Sequence, residues 1–211
     1  MEVIKFEVGP FMENTYLLVK DDAAVVVDPG FAREEEFLSF KERVDAARAE
    51  LIAVLLTHAH VDHVMGLHRL LKDFEVPVYL NTGDMFLWEN FGSQATMFGL
   101  NQAGFSFTPE SLPVDEEFEV GEFRFSCLFT PGHAPDHTAL YFEEDNLVIA
   151  GDALFRESIG RTDLYKGDFE VLERSIKEKL YTLPENTKVY PGHGPETTIG
   201  HEKINNPFVK N

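Results

Sequence analysis

Residues 51–63, Leu-Ile-Ala-Val-Leu-Leu-Thr-His-Ala-His-Val-Asp-His, restrict the fold more than any other stretch of this chain. A six-residue apolar run is short for a buried helix and fits a central strand covered on both faces. Four potential metal ligands follow at once: His58, His60, Asp62 and His63. The backbone must leave the buried strand there and turn back on itself. Side chains at these positions can then converge on a metal pair, provided the rest of the chain supplies the remaining ligands.

The N-terminal region reads as strands. Residues 2–8 alternate in part, Gly9-Pro10 breaks the pattern, and 15–19 and 23–27 are β-prone runs about a turn at Lys20-Asp21-Asp22. Asp28-Pro29-Gly30 ends the third run. An amphipathic helix is expected over 31–50, with Phe37, Phe40, Val44 and Ala47 on one face. After the histidine-rich turn come a helix over 64–72, a strand over 76–80 and a helix towards Trp88. Residues 91–113 mix glycines with Trp88, Phe91, Met97, Phe98, Phe105 and Phe107 at and beside them. They read either as an aromatic-lined cover for a site or as an irregular packed connection.

The second half repeats the strand-rich character. Hairpins are expected over 117–120 with 123–129, about Gly121, and over 138–142 with 147–150. A helix over 169–180 follows, with Asp168 as its N-cap, then a last strand over 187–190. Two strand-rich halves, each with helices, imply an α+β fold of two packed sheets with helices outside, in one domain over 1–211.

Candidate ligands recur where these strands end: His133 after Pro131-Gly132, Asp152 after Gly151, and His193 after Pro191-Gly192. Glycine permits the sharp turns and close approach that a crowded ligand set needs. Any single histidine here could be a turn or core residue. Five of the eight histidines falling at such turns argues against coincidence. His68, in a helix, and His201, in a polar tail, are expected to be ordinary residues, and His137 to be a supporting neighbour. Imidazole and carboxylate together suit borderline divalent ions, zinc first, with iron or manganese as alternatives. Seven ligands are too many for one tetrahedral ion with an open position. The expected division gives His58, His60 and His133 to one ion, Asp62, His63 and His193 to the other, with Asp152 bridging; spacing alone leaves that division open.

A formal net charge of −19 disfavours nucleic acid and anionic membranes as partners. The single cysteine, Cys127, excludes an intrachain disulfide and sits on the odd-numbered face of its strand, as a buried inert thiol would. No leader-like apolar segment or membrane span is read in the sequence, which implies a cytoplasmic protein, monomer or homodimer.

Residues 57–63 resemble the signature motif of the metallo-β-lactamase superfamily. Pro131-Gly132-His133, Gly151-Asp152 and Pro191-Gly192-His193-Gly194 resemble its later metal motifs. The resemblance implies an αββα sandwich with a binuclear site between the sheet edges. Gly151-Asp152-Ala153-Leu154-Phe155 and Gly160-Arg161-Thr162-Asp163 are similar to the glyoxalase II branch, hydrolases of hydroxyacylglutathione thioesters such as S-lactoylglutathione. Full-length members carry a helical glutathione-holding domain after the last histidine motif. Here a short tail containing Asn205-Asn206-Pro207-Phe208 resembles the short branch instead. Arg161 matches a basic position in the branch's substrate segment and would hold a substrate carboxylate; the other reading is an Arg161–Asp163 pair that orders the loop. Tyr165 and Lys166 are further substrate-contact candidates.

The implied chemistry is thioester hydrolysis by a hydroxide between two ions held about 3.5–4 Å apart. Asp62 would orient the nucleophile and Asp152 bridge the ions. One rival is a mononuclear-iron persulfide dioxygenase, whose facial set by resemblance would be His58, His133 and Asp152. A lactone or β-lactam hydrolase and a non-enzymatic metal-binding module are the others.

Overall fold

The alternating N-terminal pattern becomes three antiparallel strands in the computed structural model, which describes residues 1–210. They are β1 (Glu2–Val8), β2 (Glu13–Lys20) and β3 (Ala23–Val27). Helix α1 (Glu34–Ala47) then crosses over to β4 (Glu50–Leu55), which pairs in parallel with β3. The apolar run is therefore a central strand: Val54 and Leu55 are fully buried, on opposite faces of the sheet. Helix α1 is shorter at both ends than its periodicity suggests. Glu36 accepts backbone N–H bonds from Ala32 and Arg33 and so fixes the start, while Arg48 in the left-handed region closes the end.

Two short helices follow β4: α2 (Val61–Val64) and α3 (Leu67–Asp73). Only one was expected. The break falls at Met65-Gly66, where the Gly66 N–H donates to the Pro29 carbonyl at 2.8 Å. A Cβ on Gly66 would lie 2.4 Å from that oxygen, so the chain is tied to the end of β3 instead of continuing the helix. Then come β5 (Val78–Leu80), α4 (Phe86–Glu89), α5 (Phe91–Met97) and β6 (Glu110–Ser111), completing a first sheet of order β1-β2-β3-β4-β5-β6.

The second sheet uses β7 (Glu117–Val120), β8 (Phe123–Phe129), β9 (Thr138–Phe142) and β10 (Leu147–Gly151). A small hairpin, β11 (Leu154–Phe155) with β12 (Ser158–Ile159), was not evident in the sequence. Helix α6 (Phe169–Ser175) runs into a π-helical turn at Ile176–Leu180. Strands β13 (Lys188–Pro191) and β14 (Thr197–Thr198) and helix α7 (Ile199–Asn205) complete the order β14-β13-β10-β9-β8-β7. Asp168 caps α6 by accepting the Val171 N–H.

Three apolar layers hold these parts together. Tyr16, Leu18, Val25, Leu55, Phe125, Leu140 and Ile149 fill the space between the sheets. Leu17, Val26, Phe40, Val54 and Leu70 pack the first sheet on its helices, and Val148, Val189, Leu172, Ile176 and Ile199 pack the second on its own. The fold is the expected αββα sandwich. Cys127 lies in the middle layer, fully buried, and burial pushes its thiol up to about 12. The connection 91–113 divides between the two readings. Phe105 stacks on Trp88 and Phe91 inside a packed cluster, while Met97 and Phe98 stay exposed.

Bonds across the sandwich pin the sheets at one edge. Thr138 N–H donates to Thr57 O, and Asn14 N–H to Gly192 O, both at 2.8 Å. Strands β3, β4, β8, β10 and β13 all direct their carboxyl ends to this edge, so their exit turns meet there.

Candidate metal centre

All seven predicted ligands come together at that edge. His58, His60 and His133 form one three-residue group; Asp62, His63 and His193 form another. Asp152 stands between them: Oδ1 is 3.4 Å from His63 Nε2, and Oδ2 is 3.4 Å from His133 Nε2 and 3.6 Å from His193 Nε2. A further grouping joins His58 and His63 to Asp152. His58, His63 and His133 are buried, and Asp62 and His193 reach solvent through the cavity beside them.

Three of the imidazoles, those of His58, His63 and His133, are each held by a bond on the far side. Thr57 Oγ1 donates to Asp28 Oδ2 at 2.6 Å and so accepts from His58 Nδ1 at 3.0 Å. His63 Nδ1 donates to Asp28 Oδ2 at 2.9 Å, and His133 Nδ1 to the Arg161 carbonyl at 2.8 Å. These bonds leave the Nε2 lone pairs of His58, His63 and His133 aimed inward, the arrangement by which proteins fix a ligand's tautomer and direction.

The donor set fits divalent ions. His60 Nδ1 lies 3.0 Å from His58 Nε2 and 2.8 Å from His133 Nε2. Two imidazole nitrogens on one tetrahedral zinc ion would be about 3.3 Å apart, so the three rings already stand near that spacing. His63 Nε2 and Asp152 Oδ1 are buried without any hydrogen-bond partner, which is costly unless something else meets them. Burial, reinforced by the neighbouring histidines, keeps His58 neutral; burial and His133 push His60 down to about 3. Burial opposes ionisation of Asp62 and Asp152, yet His63 and the other nearby imidazoles hold both carboxyls below their usual range. His63 is raised against its burial by Asp152, Asp62 and Asp28, and His193 against its burial by Asp62. The second group thus attracts positive charge, which an ion would supply in place of protons.

Glycine matters most beside Asp152. A Cβ on Gly192 would fall 2.1 Å from Asp152 Oδ1 and 2.8 Å from His63 Cε1. Gly151 has φ +49°, and a Cβ there would meet His137 Nε2 at 2.6 Å. His137 is the expected supporting neighbour: its Nε2 accepts the Asp152 N–H at 3.0 Å, and its Nδ1 bonds Thr130 Oγ1 at 2.8 Å. His68 bonds the Ala103 carbonyl and His201 pairs with Glu157, so neither joins the cluster.

Sequence reasoning missed four carboxylate- or hydroxyl-bearing supports. Asp28 was read only as a strand terminator, yet it holds both Thr57 and His63 from a left-handed backbone (φ 50). Glu13 is fully buried beside His63 and Asp28, and burial raises its carboxyl well above the usual range. Asp136, pushed up to about 7 by burial, accepts the Ala59 N–H, and Thr130 holds His137. An acidic residue directly after the buried run Ala23–Val27 was the available signal for Asp28.

The cluster forms one end of a cavity of about 620 Å³. Arg161 and Tyr165 line it. Arg161 is closed onto Asp163 by two hydrogen bonds of 2.7 and 2.9 Å. Lys166 is not among the lining residues; it bonds Asp84 at 2.7 Å and sits over the Tyr165 ring.

A family model described as Metallo-beta-lactamase superfamily matches residues 8–193. The chain is 39% identical over 210 residues to a probable metallo-hydrolase, YqgX, of Bacillus subtilis, covering 97% of this chain and 96% of that one. It is 36% identical over 213 residues to the hydroxyacylglutathione hydrolase GloC of Haemophilus influenzae, covering 99% and 98%. Among solved structures, TTHA1623 in a di-iron-bound form superposes with a TM-score of 0.86 at 38% identity, covering 98% of this chain and all of that one.

Proposed function

The chain belongs to the metallo-β-lactamase superfamily, and from that premise we propose that it is a binuclear metal-dependent hydrolase of thioesters, of the hydroxyacylglutathione class. The observation that carries this reading is the placement of Asp152 between two three-residue ligand groups, with both carboxylate oxygens facing imidazoles. The likeness to GloC supports the substrate class.

His58, His60 and His133 would hold one ion, Asp62, His63 and His193 the other, and Asp152 both. Two divalent ions supply a water that ionises near neutral pH and a Lewis acid for the scissile carbonyl. The chain's own residues do the rest. Asp62, partly open to the cavity, would orient that water. Asp28, Thr57 and the Arg161 carbonyl keep the imidazoles in their ligating tautomers. The leaving thiolate needs no dedicated acid, because thiols ionise at about pH 8.5. Arg161, at the cavity wall, is the side chain available to a substrate carboxylate if Asp163 releases it.

Metal quantification coupled to anaerobic thioester turnover tests the reading. Two ions per chain, oxygen-independent release of thiol from S-lactoylglutathione, and a fall of ~10²-fold or more in kcat/KM for Asp152→Ala are expected. Failure of a metal-replete sample to release thiol overturns the hydrolase, and obligate oxygen use with a single iron would replace it with a dioxygenase.

A further inference from the structure

The metal cluster occupies one end of the cavity, and apart from Gln94, Ser158 and Arg161 the other walls are apolar. Phe11, Phe86, Met97, Phe98, Leu164 and Tyr165 supply them, from the β1–β2 turn, α4, the end of α5 and the segment before α6. Phe11 packs edge-on against Phe98 at 4.9 Å, and Phe86 stacks on Tyr165 at 3.9 Å. Met97 is 82% exposed and Phe98 52%. Large apolar groups gathered at the mouth of a functional cleft are the informative kind of exposure, because nothing in folding rewards them.

Charge points the same way. Among the described residues Arg161 is the only lysine or arginine lining the cavity, and Asp163 pairs with it. Lys166, on the same segment, is neutralised by Asp84. An anionic arm would have to displace a carboxylate that stays close by, within a chain of net charge −19. An apolar arm meets no such competitor.

We propose that this site selects its substrate by apolar contact: a thioester with a bulky alkyl or aryl acyl arm against the wall of Phe86, Leu164 and Tyr165, and no charge required of the thiol. The reaction rests on the hydrolase reading above, whereas the recognition rests on the cavity alone. In that reaction the acyl C–S bond breaks and a C–O bond forms to the water oxygen. One water proton ends on the thiol sulfur and the other is released from the carboxylic acid.

The test uses metal-replete protein and two thioester series, acetyl to octanoyl, one on glutathione and one on the neutral thiol N-acetylcysteamine. Within each series kcat/KM should rise by up to about fourfold per methylene, and matched members of the two series should agree within about tenfold. A flat series, or a larger loss on the neutral thiol, overturns the proposal. Phe86→Ser and Leu164→Gln should each flatten the rise; the octanoyl-to-acetyl ratio does not depend on how much of a variant is folded, and a ratio unchanged in both variants also overturns it. Calorimetric binding of short and long S-(2-oxoalkyl) thioether analogues of N-acetylcysteamine, which cannot be hydrolysed, separates recognition from reaction. Tighter binding of the longer analogue supports the proposal even if no thioester is turned over, a result that would remove only the hydrolase reading. Equal or absent binding overturns it even if thioesters are hydrolysed.

Discussion

Asp28→Asn tests whether the second ligand group depends on a proton placed at a distance. Asp28 Oδ1 accepts the Thr57 N–H at 2.8 Å, and Oδ2 accepts both the Thr57 hydroxyl and His63 Nδ1. Asparagine matches the shape and tolerates the left-handed backbone (φ 50) at this position. If its carbonyl serves the Thr57 N–H, its amide N–H groups face His63. The imidazole can satisfy them only by moving its own proton to Nε2, the atom 3.4 Å from Asp152 Oδ1. A protonated Nε2 cannot bind a metal. Loss of such a supporting partner weakens a metal site by ~10–100-fold, or about 1.4–2.7 kcal/mol. The loss should be largest in the group of Asp62, His63 and His193, which Asp28 touches directly, and smaller in the group of His58, His60 and His133, which it reaches only through the Thr57 hydroxyl on His58 Nδ1. Competition titration with a chelator, followed by metal counting at each step, reads it directly. Native affinity for both ions, or a loss confined to the group of His58, His60 and His133, would refute the reasoning.

Three other outcomes follow from the same geometry. Gly192→Ala should lower metal affinity at least tenfold, roughly the supporting-partner range, because its Cβ would lie 2.1 Å from Asp152 Oδ1; unchanged metal content after dialysis would contradict this. Removing the ions with a chelator should lower the unfolding midpoint, each ion at a hundred times its Kd contributing about 2.7 kcal/mol, as differential scanning calorimetry would show. Glu36→Gln should cost about 1 kcal/mol, since Glu36 accepts N–H bonds from Gly9, Ala32 and Arg33. Burial opposes ionisation of Glu36, but these bonds hold its carboxyl below the ordinary 4.5. The wild type's advantage should therefore be present above pH 4.5 and vanish as the pH falls through the lower folded value; paired urea titrations against pH would measure it.

Much of this was legible in the residues because its causes are local. Leu51–Leu56 is short and apolar, as a covered strand would be, and the glycines at 132, 151 and 192 marked sharp exits with ligands attached. The likeness of residues 57–63 to a known motif extended that reading to the whole sandwich. Elements whose boundaries depend on distant partners were less legible. Helix α2 stops at Val64 because Gly66 is drawn to Pro29, far away in sequence. Residues 91–113 could not be divided in advance between packing and exposure, since Phe105 is ordered by Trp88 and Phe91, and Phe98 by Phe11.

The sequence by itself determined the chemistry available: five histidines and two aspartates at strand ends, types that hold divalent ions wherever they meet. Only the tertiary structure decided which atoms meet and what surrounds them. Asp28 looks like any strand terminator until the sheet brings it within 2.9 Å of His63. Arg161 offers two readings in the sequence, an anion receptor or a partner of Asp163, and the folded loop closes it onto Asp163. The reason is physical: ligand type belongs to a side chain alone, but tautomer, charge balance and the polarity of a cavity belong to its neighbours, and those are set by pairing strands far apart in the chain.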